Sequence, residues 1–202
     1  MRTVRAVVAA RAMSGEYSSS VMEGGAGLIG GGSTEAGSAP DAARADEPGA
    51  ASVDILDSTG RLPTAHVGWL GDHLRRALGL LGAAGEVRVR VLADQAMSES
   101  HARFRGVEDT TDVLTFDLSG PGRPLDVDVL VCLDEAERRA EELGHPRQHE
   151  LLLYMIHGVL HCLGHDDHDP EARARMHAEE DRLLRAIGVG AVFHAPGGGG
   201  SA

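Results

Sequence analysis

The chain has 202 residues, of which 42% are hydrophobic and only 3% are aromatic, so one core can form from Leu, Val, Ile and Ala side chains. All 19 basic residues are Arg, and the formal net charge of −12 argues against a broad nucleic-acid-binding surface, although not against a local arginine-lined groove. Two cysteines, Cys132 and Cys162, exclude a disulfide framework, and no apolar run approaches the roughly 20 residues of a membrane span. We therefore expect a reduced, cytoplasmic protein with one domain.

Composition divides the chain into three parts. Residues 1–51 are rich in Gly, Ala and Ser and have no hydrophobic periodicity, which is typical of a disordered extension. Residues 194–202 are a second Gly-rich segment, which predicts a flexible tail. The folded domain is therefore expected over residues 52–193.

Within that domain the hydrophobic patterns predict four strands and four helices. Alternation of apolar and polar residues, as in EVRVRVLA, predicts strands, and apolar spacings of three and four predict helices. A polar loop is expected over residues 94–109. In chain order the predicted elements are a strand at 52–58, a helix at 65–82, strands at 86–93, 110–118 and 126–133, and helices at 134–144, 147–164 and 169–188. This content predicts a small α+β domain in which a four-stranded mixed sheet packs with about four helices.

The long helix at 147–164 carries two residues that point to metal chemistry. His157 and His161 are four residues apart and so lie on one helical face, where two imidazoles can bind a divalent metal. This spacing alone is a weak sign, because a pair of hydrogen-bonded histidines on a helix surface has the same spacing. The residues that follow the pair decide how the spacing is interpreted.

The turn after this helix supplies further candidate ligands. Gly164 lets the chain turn back, and Asp166, Asp167 and His168 follow it at once. A third ligand from Asp167 or His168 would complete a three-residue metal site with an open position at the end of this central helix. Asp166 is a candidate to accept a hydrogen bond from the far nitrogen of a metal-binding imidazole. His165 is predicted to point away.

The residue after the first histidine argues against a peptidase. Zinc peptidases carry a Glu there as general base, whereas this chain has Gly158. A glycine in a helix interior costs about 1 kcal/mol relative to Ala. Gly158 therefore suggests that room is needed at this point, for a substrate or for a closely packed backbone.

The segment HGVLHCLGHDDH, residues 157–168, resembles the signature HGxLHLxGYDH of the YbeY family, bacterial metal-dependent endoribonucleases of rRNA maturation. Upstream, ARFRGVEDTTDVLTFDL resembles the family's arginine loop and the strand that follows it, and LDVDVLVCLDEAERRAEELGH resembles the next strand and helix. The resemblance covers most of the domain and neither tail. It implies a single-strand-specific endoribonuclease of rRNA maturation and ribosome quality control, with one zinc ion as cofactor and an rRNA precursor and the small ribosomal subunit as partners.

The third metal ligand departs from the family pattern. The resemblance implies a histidine ten residues after His157, but Asp167 stands there and His168 follows. Either Asp167 replaces the histidine, or the turn shifts by one residue and His168 binds the metal. We favour His168, because imidazole would restore an all-nitrogen ligand set and a loop can absorb a shift of one residue.

Arg105 matches the arginine that the resemblance implies is catalytic. A guanidinium can bind a phosphodiester bidentately and stabilise charge that develops on it. Arg103, two residues earlier, could assist with phosphate or simply face solvent.

Two other functions are compatible with the sequence. One is a ribosome assembly factor without nuclease activity, whose metal is structural, and the other is a metal-dependent hydrolase of a different substrate. A closed shell of four protein ligands would favour a structural metal, whereas three ligands and an open position would favour catalysis.

Overall fold

The computed structural model describes residues 5–7 and 50–190. Its order of elements confirms the predicted α+β class. The strands are β1 (Arg5–Val7), β2 (Ala51–Asp57), β3 (Gly85–Leu92), β4 (Val113–Asp117) and β5 (Leu125–Cys132). The helices are α1 (Thr64–Leu80), α2 (Asp94–Arg105), α3 (Leu133–Leu143), α4 (Arg147–Cys162) and α5 (Pro170–Ala186).

The strands form one mixed sheet in the order β1-β4-β5-β3-β2. β3 pairs in parallel with both β2 and β5, whereas β4 pairs with β5 in the antiparallel direction. The four predicted strands are all present. The alternation in β3 also holds, because Val87, Val89 and Val91 are buried on one face and Arg88 and Arg90 lie on the other.

The short strand β1, and Ala51 at the start of β2, lie within residues 1–51, for which the composition predicts a disordered extension. β1 pairs antiparallel with β4, with Arg5 opposite Asp117 and Val7 opposite Thr115. The outer edge of β4 offers unpaired backbone N–H and C=O groups, and β1 satisfies them. Residues 1–4, 8–49 and 191–202 lie outside the described residues. The domain limits at residues 52 and 193 therefore stay predictions.

The main core lies between one face of the sheet and the helices α1, α4 and α5. α4 is the central helix, because every residue from Glu150 to His161 is buried. Such burial fits its continuous apolar run, ELLLYMI. In the part of the chain that the structure describes, no helix has both the length and the apolar character needed to cross a membrane.

Helix α2 occupies residues that were predicted to form a polar loop, and it brings the number of helices within residues 50–190 to five. Only Met97 and His101 are buried along its length, so its apolar periodicity is too weak to indicate a helix. Met97 joins a small second cluster that includes Leu114 and Phe116, on the face of the sheet opposite α4. Arg105 therefore lies in the last turn of a helix rather than in a loop.

Candidate metal centre

Gly158 and its contact with the sheet position the histidines of α4. An added Cβ at Gly158 would lie 2.3 Å from Oγ1 of Thr115 in β4, so only a glycine permits this approach. The room suggested by the sequence is therefore used for packing against the Thr115 side chain. His157 and His161, one residue before and three residues after this contact, are themselves buried.

The turn at the end of α4 brings the chain back toward His161. Gly164 has a φ of 93°, a left-handed conformation that favours glycine. The His165 amide then donates to the Leu160 carbonyl at 3.0 Å, and the His165 carbonyl accepts from Nδ1 of His161 at 3.1 Å. It is thus the backbone of His165 that orients the His161 ring.

The two histidines direct their Nε2 atoms toward each other, 3.2 Å apart. Nδ1 of His157 lies 2.6 Å from Oε1 of the fully buried Glu180, and Nδ1 of His161 faces a carbonyl. Carboxylates and carbonyls only accept hydrogen bonds, so each Nδ1 carries a proton and each neutral ring has a bare Nε2. Two facing lone pairs require a cation between them, which is either a proton or a metal ion.

The pKa values of the pair agree with this arrangement. Burial works against a charge on His157, but the hydrogen bond and the negative charge of Glu180 outweigh it and raise the pKa of His157. Burial, followed by the charge on His157, lowers the pKa of His161 to about 4. The two pKa values therefore shift in opposite directions, because Glu180 is hydrogen-bonded to His157 while His161 faces a carbonyl.

Asp167 is the residue that the turn brings to both histidines. Its carboxylate oxygens lie 3.8 Å from Nε2 of His157 and 3.7 Å from Nε2 of His161. One ligand atom from each of these three residues falls within 4.8 Å of the other two. Two imidazole nitrogens and one carboxylate oxygen suit zinc and other divalent transition metals, so these residues could hold such an ion.

His168, the favoured third ligand, is not part of this group, although its Nδ1 lies 3.9 Å from Oδ1 of Asp167. Its side chain is 45% exposed, and its Nδ1 contacts the carboxylate of Asp166. Asp166 also accepts from the Asp167 amide at 2.9 Å. The carboxylate of Asp166 thus contacts His168 and not His157 or His161. The Nδ1 atom of His157 has Glu180 as its partner, and the Nδ1 atom of His161 has the His165 carbonyl.

A second group of possible ligands, Asp94, Cys132 and Asp134, lies at the carboxyl ends of β3 and β5. Arg138 binds both carboxylate oxygens of Asp94, at 2.6 and 2.9 Å, and Arg61 pairs with Asp134 at 2.5 Å. Burial raises the pKa of the Cys132 thiol to about 11. Arginines already neutralise these carboxylates and the thiol stays protonated, so this group needs no metal.

The open face of the sheet holds a groove of about 810 Å³ that contains none of the candidate metal ligands. Its charged lining residues are Asp54, Arg88, Arg90, Glu99, Arg103 and Asp128. Arg88 is already bound by Asp126 and Asp128, at 2.5 and 2.6 Å. The positive and negative residues balance, so the groove is not a basic track for a nucleic-acid backbone.

Arg105 is half-buried, whereas Arg103 is exposed and has its guanidinium carbon 5.4 Å from the centre of the Phe104 ring. Gly106 follows with a φ of 70° and ends α2, so the chain reverses directly after Arg105. The end of a helix gives the Arg105 backbone a more defined position than the predicted loop would.

Glu180 is the residue near the histidines that the sequence analysis missed. It lies in α5, 23 positions after His157, within the charged run HAEEDR. Local spacing cannot connect residues so far apart. A weaker signal was the helical spacing of α5. Glu180 falls on the same helical face as three apolar residues, Met176, Leu183 and Leu184, and this spacing indicates that its carboxylate lies on the buried side.

Comparison with known proteins agrees with the resemblance seen in the sequence. Two relatives named Endoribonuclease YbeY come from Halorhodospira halophila and Bacillus licheniformis. The chain is 36% identical to the first over 54% of its own length and 74% of the relative's. It is 29% identical to the second over 68% of its length and 95% of the relative's. The solution structure of TM1509 from Thermotoga maritima matches 72% of this chain and 98% of that chain, with 24% identity and a TM-score of 0.47.

The model of the family described as Endoribonuclease YbeY matches residues 67–188. This range runs from the first turn of α1 to the residues after α5, and it includes His157, His161, Asp167 and Glu180. The match covers more than half of the chain, and the predicted resemblance is confirmed: the chain belongs to the YbeY family.

Proposed function

We propose that this protein is a metal-dependent endoribonuclease that cleaves single-stranded RNA. One observation carries the proposal. Within a region that matches the Endoribonuclease YbeY family, two buried imidazoles and a carboxylate bring their ligand atoms within 4.8 Å of one another. A buried cluster of this composition is suited to a catalytic divalent metal.

His157, His161 and Asp167 would hold the metal, which we propose is a zinc ion. The distances from Asp167 to both histidines support this choice of third ligand over His168. When bound, the ion would supply Lewis-acid chemistry, lowering the pKa of a bound water or polarising a phosphate oxygen. The carbonyl of His165 keeps the His161 ring oriented for this purpose.

Arg105 would bind the scissile phosphate and stabilise the charge that develops on it during cleavage. Its guanidinium offers donors in a planar fork that matches two phosphate oxygens. Arg103 is exposed and lies over the Phe104 ring, so it would be available to a neighbouring phosphate as an auxiliary contact. Both side chains belong to the last turn of α2.

The number of ligands supports catalysis over a structural metal. In the described part of the chain, the group around His157 has three members rather than four. Three protein ligands leave a coordination position for water or substrate, whereas structural zinc sites are closed by four. An assembly factor with a purely structural metal is therefore the weaker alternative.

In the cell, we propose that the protein acts in rRNA maturation and ribosome quality control, in the cytoplasm, on an rRNA precursor associated with the small ribosomal subunit. Family membership supports this role. The test is a panel of matched substrates incubated with the purified protein: a single-stranded RNA, the same RNA in a duplex, and the same sequence as DNA. We expect cleavage of the single-stranded RNA alone. Equal cleavage of DNA, or of none of the three, would contradict the proposal.

A further inference from the structure

Glu180 is a buried carboxylate that is hydrogen-bonded to a candidate metal ligand, His157. Its side chain has no solvent exposure, and Oε1 lies 2.6 Å from Nδ1 of His157. Its other oxygen, Oε2, is buried and has no hydrogen-bond partner among the described residues. A buried carboxylate that is only half satisfied is costly, so its presence needs an explanation.

We propose that Glu180 is the positioning residue of the metal centre: it holds His157 as the tautomer with a bare Nε2 and supplies one of two negative charges that balance a divalent ion. The inference rests on the proposed metal site. Glu180 does not touch the metal in this account, but acts on it through His157.

The tautomer follows from the hydrogen bond. An ionised carboxylate can only accept, so the proton of a neutral His157 ring must sit on Nδ1 and Nε2 must keep its lone pair. The lone pair then faces Nε2 of His161 and the carboxylate of Asp167. Without Glu180, the ring could carry its proton on Nε2 and could not bind a metal there. Carboxylate partners of this kind orient metal-binding histidines in many proteins.

The charges are also matched to a divalent ion. Two neutral imidazoles contribute no charge, while Asp167 and Glu180 contribute one negative charge each. Glu180 is wholly buried and Asp167 largely so, and such charges are stable only when a cation compensates them. A bound divalent ion compensates both charges at once.

The neighbouring Glu179 provides a matched control. It belongs to the same helix, but it is paired with Arg182 at 2.6 and 2.7 Å and lies outside the metal group. Glu179→Gln therefore removes the same charge from α5 without touching His157. Glu180→Gln keeps an acceptor oxygen and loses the charge, and Glu180→Ala loses both.

The experiment measures zinc affinity of the full chain by competition with a chromophoric chelator. We expect Glu180→Ala to bind zinc about 10–100-fold more weakly, Glu180→Gln to fall between Glu180→Ala and wild type, and Glu179→Gln to match wild type. Circular dichroism in excess chelator checks that each metal-free variant is folded. Wild-type affinity in Glu180→Ala would overturn the inference and leave the metal site intact. Absence of zinc binding in both wild type and Glu179→Gln would overturn the site itself.

The ring nitrogens of His157 give a second readout, which reports the tautomer directly and needs no Glu180 variant to fold. In zinc-loaded wild-type protein, ¹⁵N NMR should show His157 with its proton on Nδ1 and its Nε2 bound to metal. A His157 ring protonated on Nε2 would overturn the inference even if every Glu180 variant were unfolded.

Discussion

Gly158 of α4 packs against Thr115 of β4 so closely that an added Cβ would lie 2.3 Å from Oγ1 of the threonine. Thr115 is fully buried, so its hydroxyl cannot swing into solvent. The contact fixes the distance between helix and sheet one residue after His157. A glycine in a helix interior lowers helix stability by about 1 kcal/mol relative to Ala. At position 158 glycine is nevertheless needed, because a Cβ would clash with Thr115.

Gly158→Ala should therefore destabilise the protein, although Ala is the better helix former. Overpacking of this kind costs about 1–3 kcal/mol, measured as the change in the free energy of unfolding in urea. In a Thr115→Ala background the same substitution should cost much less, because the clashing oxygen is gone. A Gly158→Ala variant as stable as wild type would show that the contact is not limiting.

The third metal ligand can be identified by a pair of substitutions. Asp167→Ala should lose zinc, because the Asp167 carboxylate is the group that lies beside both Nε2 atoms. His168→Ala should retain zinc, because its exposed ring contacts Asp166 instead. Metal content of the dialysed proteins measures both. The reverse pattern would mean that the turn shifts on metal binding and that His168 is the ligand.

The role of Arg105 is separable from metal binding. Arg105→Ala should keep its metal and its fold but lose turnover, by about 10²–10³ for the removal of one preorganised donor. Arg105→Lys should recover little, because an ammonium lacks the planar fork. Arg76→Ala, at an exposed position of α1, is the control and should leave turnover unchanged. A defect of Arg105→Ala that disappears at saturating RNA would assign Arg105 to substrate binding instead.

The ion pair between Asp94 of α2 and Arg138 of α3 should make the stability of the fold depend on pH. Hydrogen bonds from Arg138 hold the pKa of Asp94 at about 2, below the ordinary value of 3.8. Because the pKa is lower in the folded state, Asp94 stabilises the fold above about pH 4 and loses that effect as the pH falls toward 2. The difference in unfolding free energy between wild type and Asp94→Asn should therefore shrink from pH 5 to pH 2.5. A difference that stays constant over this range would contradict the assignment.

The sequence predicted α4 and the placement of His157 and His161 on one of its faces, because a long apolar run and a spacing of four residues are local signals. It predicted β3 for the same reason, since strict alternation is unambiguous. α2 was missed because Met97 and His101 are the only buried residues among its twelve. The choice between Asp167 and His168 depends on how the chain leaves Gly164, and the position of Glu180 depends on how α5 packs against α4. Neither of these tertiary relationships has a local signal.

RNA cleavage before and after metal removal tests the central claim most directly. The purified protein is assayed on a single-stranded RNA as prepared, after treatment with chelator, and after zinc is restored, with a His157→Ala, His161→Ala double variant in parallel. We expect cleavage that is lost with the metal, returns with zinc, and is absent from the double variant at every step. Cleavage that persists in the metal-free protein and in the double variant would contradict it.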